Sequence, residues 1–150
     1  MSEAGCPAVA DPGADLIRLA HAHGVQVLPL VGPSAILLAL MASGMNGQRF
    51  TFHGYLPVES GERSRRLREL EDHAARAGST QVFIETPYRS GAMLHAILDH
   101  CRSDTLLCVA TDLTLPGEFI ASRAIADWKK QPPVLDRRPT VFLLFREELR

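Results

Sequence analysis

The sequence predicts an α/β protein in which a mixed sheet is flanked by helices. Three observations carry this expectation. Apolar strand-like runs alternate with segments of helical periodicity. Val25 to Val31 is a near-continuous apolar run, the mark of a strand covered on both faces in a parallel sheet. The last three strand-like runs follow one another with little helix between them, which argues for a mixed sheet.

Each element has a local reason. Residues 1 to 13 are rich in Gly, Pro and Ala and read as an ordered loop with a tight turn at Asp11-Pro12-Gly13. A helix from about Ala14 to His23 is expected to put Leu16, Ile17, Leu19 and Ala20 inward and to stop at Gly24. After the strand of Val25 to Val31, Gly32-Pro33-Ser34 opens a second helix that runs through Ala42 and stops at Gly44. Phe50-Thr51-Phe52 is a short strand broken by Pro57. A charged amphipathic helix then spans about Gly61 to Ala77, with Leu67, Leu70 and Ala74 on one side. Strands follow at Thr80 to Ile84, Leu106 to Thr111, Phe119 to Ser122 and Val141 to Phe145. Helix is expected from Pro87 to Cys101 and, as a short turn, from Ala124 to Lys129.

Length and composition set the outer limits. A chain of 150 residues with 46% hydrophobic content buries roughly two-thirds of its unfolded surface, enough for one stable core and too little for two ordinary domains. The net charge of -1, from 16 basic and 17 acidic residues, supplies no global field for nucleic acid, so any polyanion must meet a local patch. Cys6, Cys101 and Cys108 are odd in number and widely spaced, as in a reduced, cytoplasmic protein. The six histidines show no metal-ligand clustering, so no metal is expected. No secretory signal opens the sequence. Between Arg18 and Arg49 there is no charged residue, a run long enough for a membrane span, but Pro29 and Gly32-Pro33 divide it and no basic cluster flanks it.

Four segments have the makings of a site. Ser2-Glu3-Ala4-Gly5-Cys6-Pro7 with Asp11-Pro12-Gly13 is small enough for a ligand to approach the backbone, or is an ordinary turn. Leu28 to Ala35 leads from a strand through Gly32-Pro33 into a helix N-terminus, where α/β proteins bind ligands; Ser34 is equally readable as a cap. Glu85-Thr86-Pro87-Tyr88-Arg89 and Thr111 to Glu118 each place charge at the end of an apolar strand. Four such loops in one small domain suggest one shared cleft. The arginines Arg63, Arg65, Arg66 and Arg68 read either as an RNA-facing surface or as members of the i,i+4 pairs Glu62-Arg66, Arg65-Glu69 and Arg68-Asp72 on a solvated helix. Trp128 reads as a packing anchor.

In order and wording these four segments resemble the tetrapyrrole methylase superfamily, and within it the bacterial small-subunit rRNA cytidine 2′-O-methyltransferases and their relatives; the resemblance covers essentially the whole chain. It implies a two-domain enzyme that binds S-adenosylmethionine between its domains, usually as a homodimer. Residues 1–31 would then be the last strand-helix unit of the N-terminal cofactor-binding domain, the rest of which would precede Ser2, and residues 32–150 the C-terminal mixed α/β domain. By segment matching, the resemblance assigns Gly5, Cys6, Val9, Ser34, Ala35, Glu85 and Leu113 to the cofactor; Tyr88 and Arg89 are candidates for the substrate, which could be RNA, and Arg89 is equally readable as a salt-bridge member. A methyl acceptor such as a ribose hydroxyl would need alignment and, if a base is required, Glu85 or Glu118 is the candidate, though each reads first as a structural partner of Arg89 or Arg123. The chain departs from the rRNA branch in reading Thr111-Asp112-Leu113-Thr114-Leu115 for Arg-Glu-Leu-Thr-Lys and Thr86-Pro87-Tyr88-Arg89 for Ser-Pro-His-Arg, which removes charges that meet phosphate. The other reading is a truncated fragment without activity that serves as a dimerisation or binding module.

Overall fold

The computed structural model describes residues 5–146; Ser2, Glu3 and Ala4 of the first segment lie outside them. The chain divides into two compact units, one reaching Leu38 and the other beginning at Ala39.

In the first unit, α1 (Ala14–Ala22) begins after Gly13 and ends at His23 and Gly24, and α2 (Ala35–Ser43) starts here and continues into the second unit. Two expectations fail in this unit. Val25 to Val31 forms no strand: an apolar run becomes one only where neighbouring backbone takes up its N–H and C=O groups, and this unit contains no other strand among the described residues. Leu28, Leu30 and Val31 are accordingly 70%, 91% and 104% exposed. Nor does α1 turn its apolar residues inward, since it has no buried residue and Leu16 and Leu19 lie in solvent. The helix forms by its periodicity, but a unit this small has no core to receive it.

The second unit carries β1 (Phe50–Tyr55), α3 (Ser60–Ala77), β2 (Thr80–Glu85), α4 (Ser90–His100), β3 (Leu106–Thr111), β4 (Phe119–Ala124), α5 (Ile125–Lys130) and β5 (Thr140–Phe145). The five strands form one sheet in the order β1-β2-β5-β3-β4. β1 and β2 are parallel and the remaining pairs antiparallel, so the sheet is mixed as expected. β5 lies at its centre, which explains its unbroken apolar run: it is covered on both faces and paired on both edges. One face of the sheet packs Phe83, Phe142, Leu144, Leu107 and Val109 with Leu67 and Leu70 of α3, Met93, Leu94 and Ile97 of α4, and Ile125 and Trp128 of α5. Phe83 and Phe142 are register partners with ring centroids 5.7 Å apart. On the opposite face Val82, Cys108 and Leu143 are fully buried, and Ser122 donates its hydroxyl to the Ser43 carbonyl at 2.6 Å, tying the end of α2 to β4.

Local chemistry sets the helix ends. Glu59 caps α3 by accepting from the Gly61 and Glu62 amides at 2.9 and 2.7 Å, and Gly78 ends it at φ +56, a conformation that favours glycine. α4 begins at Ser90, three residues later than expected, because Thr86 to Arg89 is held as a turn by bonds from the Arg89 and Ser90 amides to the Thr86 carbonyl. Of the expected pairs on α3, Arg65 reaches Glu69 at 4.0 Å, while Arg66 turns to Glu69 at 3.1 Å and to His53 Nδ1 at 3.2 Å, and Arg68 turns to His100 at 3.5 Å. Glu62–Arg66 and Arg68–Asp72 are not formed, and the two exposed pairs through Glu69 each contribute at most about 1 kcal/mol.

His53 links three elements. Its Nε2 donates to Gln81 Oε1 at 2.8 Å, Gln81 in turn donates to Ser79, and Nδ1 accepts from Arg66, so the ring is in use as a neutral imidazole. Burial pushes its pKa below the ordinary 6.5, Arg66 and His73 push the same way, and the Gln81 bond opposes them. A depressed folded pKa means that this contribution to stability is present above about pH 6.5 and is lost as pH falls towards the lower folded value. Urea denaturation is expected to show a midpoint that declines between pH 7 and 5.5, with the decline shallower in His53→Asn; parallel curves for the two proteins would contradict it.

Candidate functional site

The two segments expected first in the sequence meet within the first unit. Gly5 has φ +94, and a Cβ at this position would run into the Pro33 carbonyl oxygen, so the absence of a side chain is what allows the loop to lie against the 33–34 turn. Cys6 Sγ stands 3.5 Å from the same carbonyl, and the Cys6 carbonyl accepts from the Val9 amide at 3.2 Å. Asp11 Oδ1 accepts from the Ala8 and Gly13 amides at 3.2 and 2.9 Å; these bonds close the turn and hold the Asp11 carboxyl below its usual range. Ser34 is buried and its carbonyl accepts the Leu38 amide, which opens α2 with Ala35 as its first residue.

The other two segments meet at one end of the sheet in the second unit. Strand register places Glu85 opposite Thr140, Thr140 opposite Thr111, and Thr111 opposite Phe119. The loops carrying Thr86 to Arg89 and Asp112 to Glu118 therefore leave from a single rim. Glu85 is buried there, and its Oε1 accepts from the Thr86 amide at 2.7 Å and from Arg89 Nε and Nη2 at 3.0 and 2.7 Å. Leu113 is half-buried, and Tyr88 is 85% exposed. Glu118 accepts the Thr114 amide at 2.7 Å, bracing its own loop, while Arg123 lies 4.8 Å over the Trp128 ring. Of the two carboxylates, Glu85 is thus the one with an arginine partner.

Sequence reasoning missed Arg138. Its Nε donates to Asp112 at 2.6 Å, its Nη2 donates to the Gly117 carbonyl, and its own carbonyl receives Ser90 Oγ at 2.9 Å and Thr140 Oγ1 at 3.0 Å. It joins both loops of the rim from within the segment 131–139 that precedes β5. The available signal was a cation just before a buried strand, with an acid at the end of another apolar run; pairing the two requires knowing that β5 lies beside β3. Among the described residues no group of three or more His, Cys, Asp or Glu is placed to hold a metal ion. No helix there is long and apolar enough to cross a membrane.

The Glu85–Arg89 pair leads to a stability prediction. Truncating the arginine strands a carboxylate whose side chain is only 2% exposed, a loss of about 3–5 kcal/mol for a fully buried pair. Since the Arg89 side chain is 32% exposed, solvent screens part of this, and Arg89→Ala is expected to cost about 2 kcal/mol by chemical denaturation. An effect below about 0.5 kcal/mol would show that the rim is not held this way.

The fold is that of known methyltransferases. The methyltransferase CobJ superimposes with a TM-score of 0.59 at 24% identity, over 95% of this chain and 62% of that one. A uroporphyrin-III C-methyltransferase from Thermus thermophilus, complexed with S-adenyl homocysteine, gives 0.54 at 20% identity over 95% and 63%. No family model matches the chain. In sequence, the ribosomal RNA small subunit methyltransferase I of Mesorhizobium japonicum is 38% identical over 130 residues, which are 85% of this chain and 43% of that protein. That of Neisseria meningitidis serogroup B is 39% identical over 127 residues, 85% of this chain and 42% of that protein. The chain therefore spans less than half the length of these relatives. Its sequence relatives are thus ribosomal RNA small subunit methyltransferases I, and its fold is shared with CobJ and with a cobalt precorrin-4 methyltransferase.

Proposed function

We propose that this chain is part of an S-adenosylmethionine-dependent methyltransferase that acts on small-subunit rRNA, with a ribose 2′-hydroxyl as the acceptor. The observation that carries the proposal is the match of 85% of the chain, at 38% identity, to a ribosomal RNA small subunit methyltransferase I. The alternative of an inactive binding module has no comparable support. A cytoplasmic location and a homodimeric state follow from the same reading.

By the resemblance, we assign Gly5, Cys6, Val9, Ser34 and Ala35, with Glu85 and Leu113, to the cofactor. When bound, S-adenosylmethionine supplies a methyl group already activated by the sulfonium. The protein's task is then alignment and exclusion of water rather than bond-making by a side chain. Glu85 keeps Arg89 oriented at the rim, and we assign Arg89 and Tyr88 to the substrate. Of the two carboxylates considered as a base, Glu118 is the more open to solvent.

Two measurements test this. Calorimetric titration with S-adenosylhomocysteine is expected to give weak or no heat for the 150-residue chain and clear binding for the form extended to the length of its relatives. Deleting the gene is expected to erase one methyl mark from small-subunit rRNA, and an unchanged methylation map would remove the rRNA reading.

A further inference from the structure

We propose that Tyr88 is a stacking platform for an unpaired base of the RNA, an inference that rests on the rRNA reading above. The turn that carries it is fixed from several sides. Pro87 restricts the backbone before it, and the Thr86 carbonyl accepts from the Arg89 and Ser90 amides at 3.0 and 3.1 Å. The buried Glu85 carboxylate holds both the Thr86 amide and the Arg89 guanidinium, and the Ser90 hydroxyl shares its proton between the Thr86 and Arg138 carbonyls at 3.0 and 2.9 Å. On this rigid support the Tyr88 side chain stands in solvent, with the residue 85% exposed. A fixed backbone with an exposed aromatic ring loses little entropy when a flat partner stacks on it.

The charges on the loops of this rim favour a base over a phosphate. Arg89 is paired with Glu85 and Arg138 with Asp112. Asp136 lies close to the first turn of α4, with its Oδ1 3.7 Å from where a Gly91 Cβ would be, and Glu118 is exposed on the neighbouring loop. With Arg137 the rim is close to neutral, so backbone charge has little to bind, whereas every base offers a face to an aromatic ring. Bases inside a duplex are already stacked, so the platform selects unpaired RNA.

Fluorescence anisotropy of the intact chain with a short fluorescein-labelled oligoribonucleotide that cannot self-pair tests the proposal. A hairpin duplex of the same composition serves as the comparison. Tyr88→Ala is expected to weaken single-strand binding about tenfold, Tyr88→Phe and Tyr88→Trp to preserve it, and none of the three to change the melting temperature. Single-strand affinity should depend weakly on salt, with a log-log slope no steeper than about -0.7, the value for one neutralised phosphate. Equal affinity of Tyr88→Ala and the wild type, a preference for the duplex, a slope several times steeper, or no binding by the wild type would each overturn it. Failure of the rRNA reading looks different: the methylation map stays intact in the deletion strain while Tyr88→Ala still loses single-strand affinity.

Discussion

Trp128→Ala is expected to destabilise the protein by about 3–5 kcal/mol, the range for removing a large buried aromatic side chain. The indole is 1% exposed, its Nε1 donates to the Leu107 carbonyl at 2.8 Å, and Phe119 meets it edge to face with centroids 6.4 Å apart. Truncation opens a cavity under β3, leaves the Leu107 carbonyl without this donor, and removes the surface on which Arg123 rests. Trp128→Phe keeps most of the volume and loses the N–H, so its cost is expected to be nearer 1–2 kcal/mol. Urea denaturation of both variants checks this. A cost below 1 kcal/mol for the alanine variant would mean that α5 is not anchored through this residue.

Glu71→Ala is the second large effect, about 3 kcal/mol. Glu71 is a carboxylate on the inner side of α3, 3% exposed, and its Oε1 accepts from the Arg102 amide at 2.8 Å and from the Thr105 hydroxyl. Bonds to a charged acceptor contribute about 1.5–3 kcal/mol each, partly offset by the cost of burying the charge. Thr105 is itself fully buried and would keep a hydroxyl without this acceptor. Glu71→Gln retains an oxygen in the same place and is expected to lose about 1 kcal/mol. Equal losses for the two variants would locate the effect in packing rather than in the hydrogen bonds. The carboxylate also helps burial to push the neighbouring Cys101 thiol up to about 12, leaving it unreactive at neutral pH.

Neither Glu71 nor Arg138 stood out in the sequence, and for the same reason. On α3 Glu71 sits among Arg68, Glu69 and Asp72 and reads as one more solvated charge, because its partners lie beyond the next helix and a strand away. Short-range pattern did determine much of the second unit. Leu106 to Thr111 is a strand with the bounds read from the sequence, and Leu67, Leu70 and Ala74 are buried on α3 as their spacing required. Val25 to Val31 failed because apolar character reports a tendency to be covered and not the presence of a cover. At the rim, the loops carrying Glu85 and Asp112 were legible as charged ends of apolar strands. That they share one end of the sheet follows only from β5 lying between β2 and β3.

That insertion also governs the order in which the unit can be completed. A ribosome delivers the β1–β2 pair and the β3–β4 hairpin before β5 exists, so two half-assembled pieces must wait with an open seam between them. Nothing emerging earlier can stand in for the missing wedge. Cooperative stability is therefore expected to arrive in a single step as Thr140–Phe145 clears the exit tunnel. A nascent chain stalled ahead of that point should be cut readily by protease.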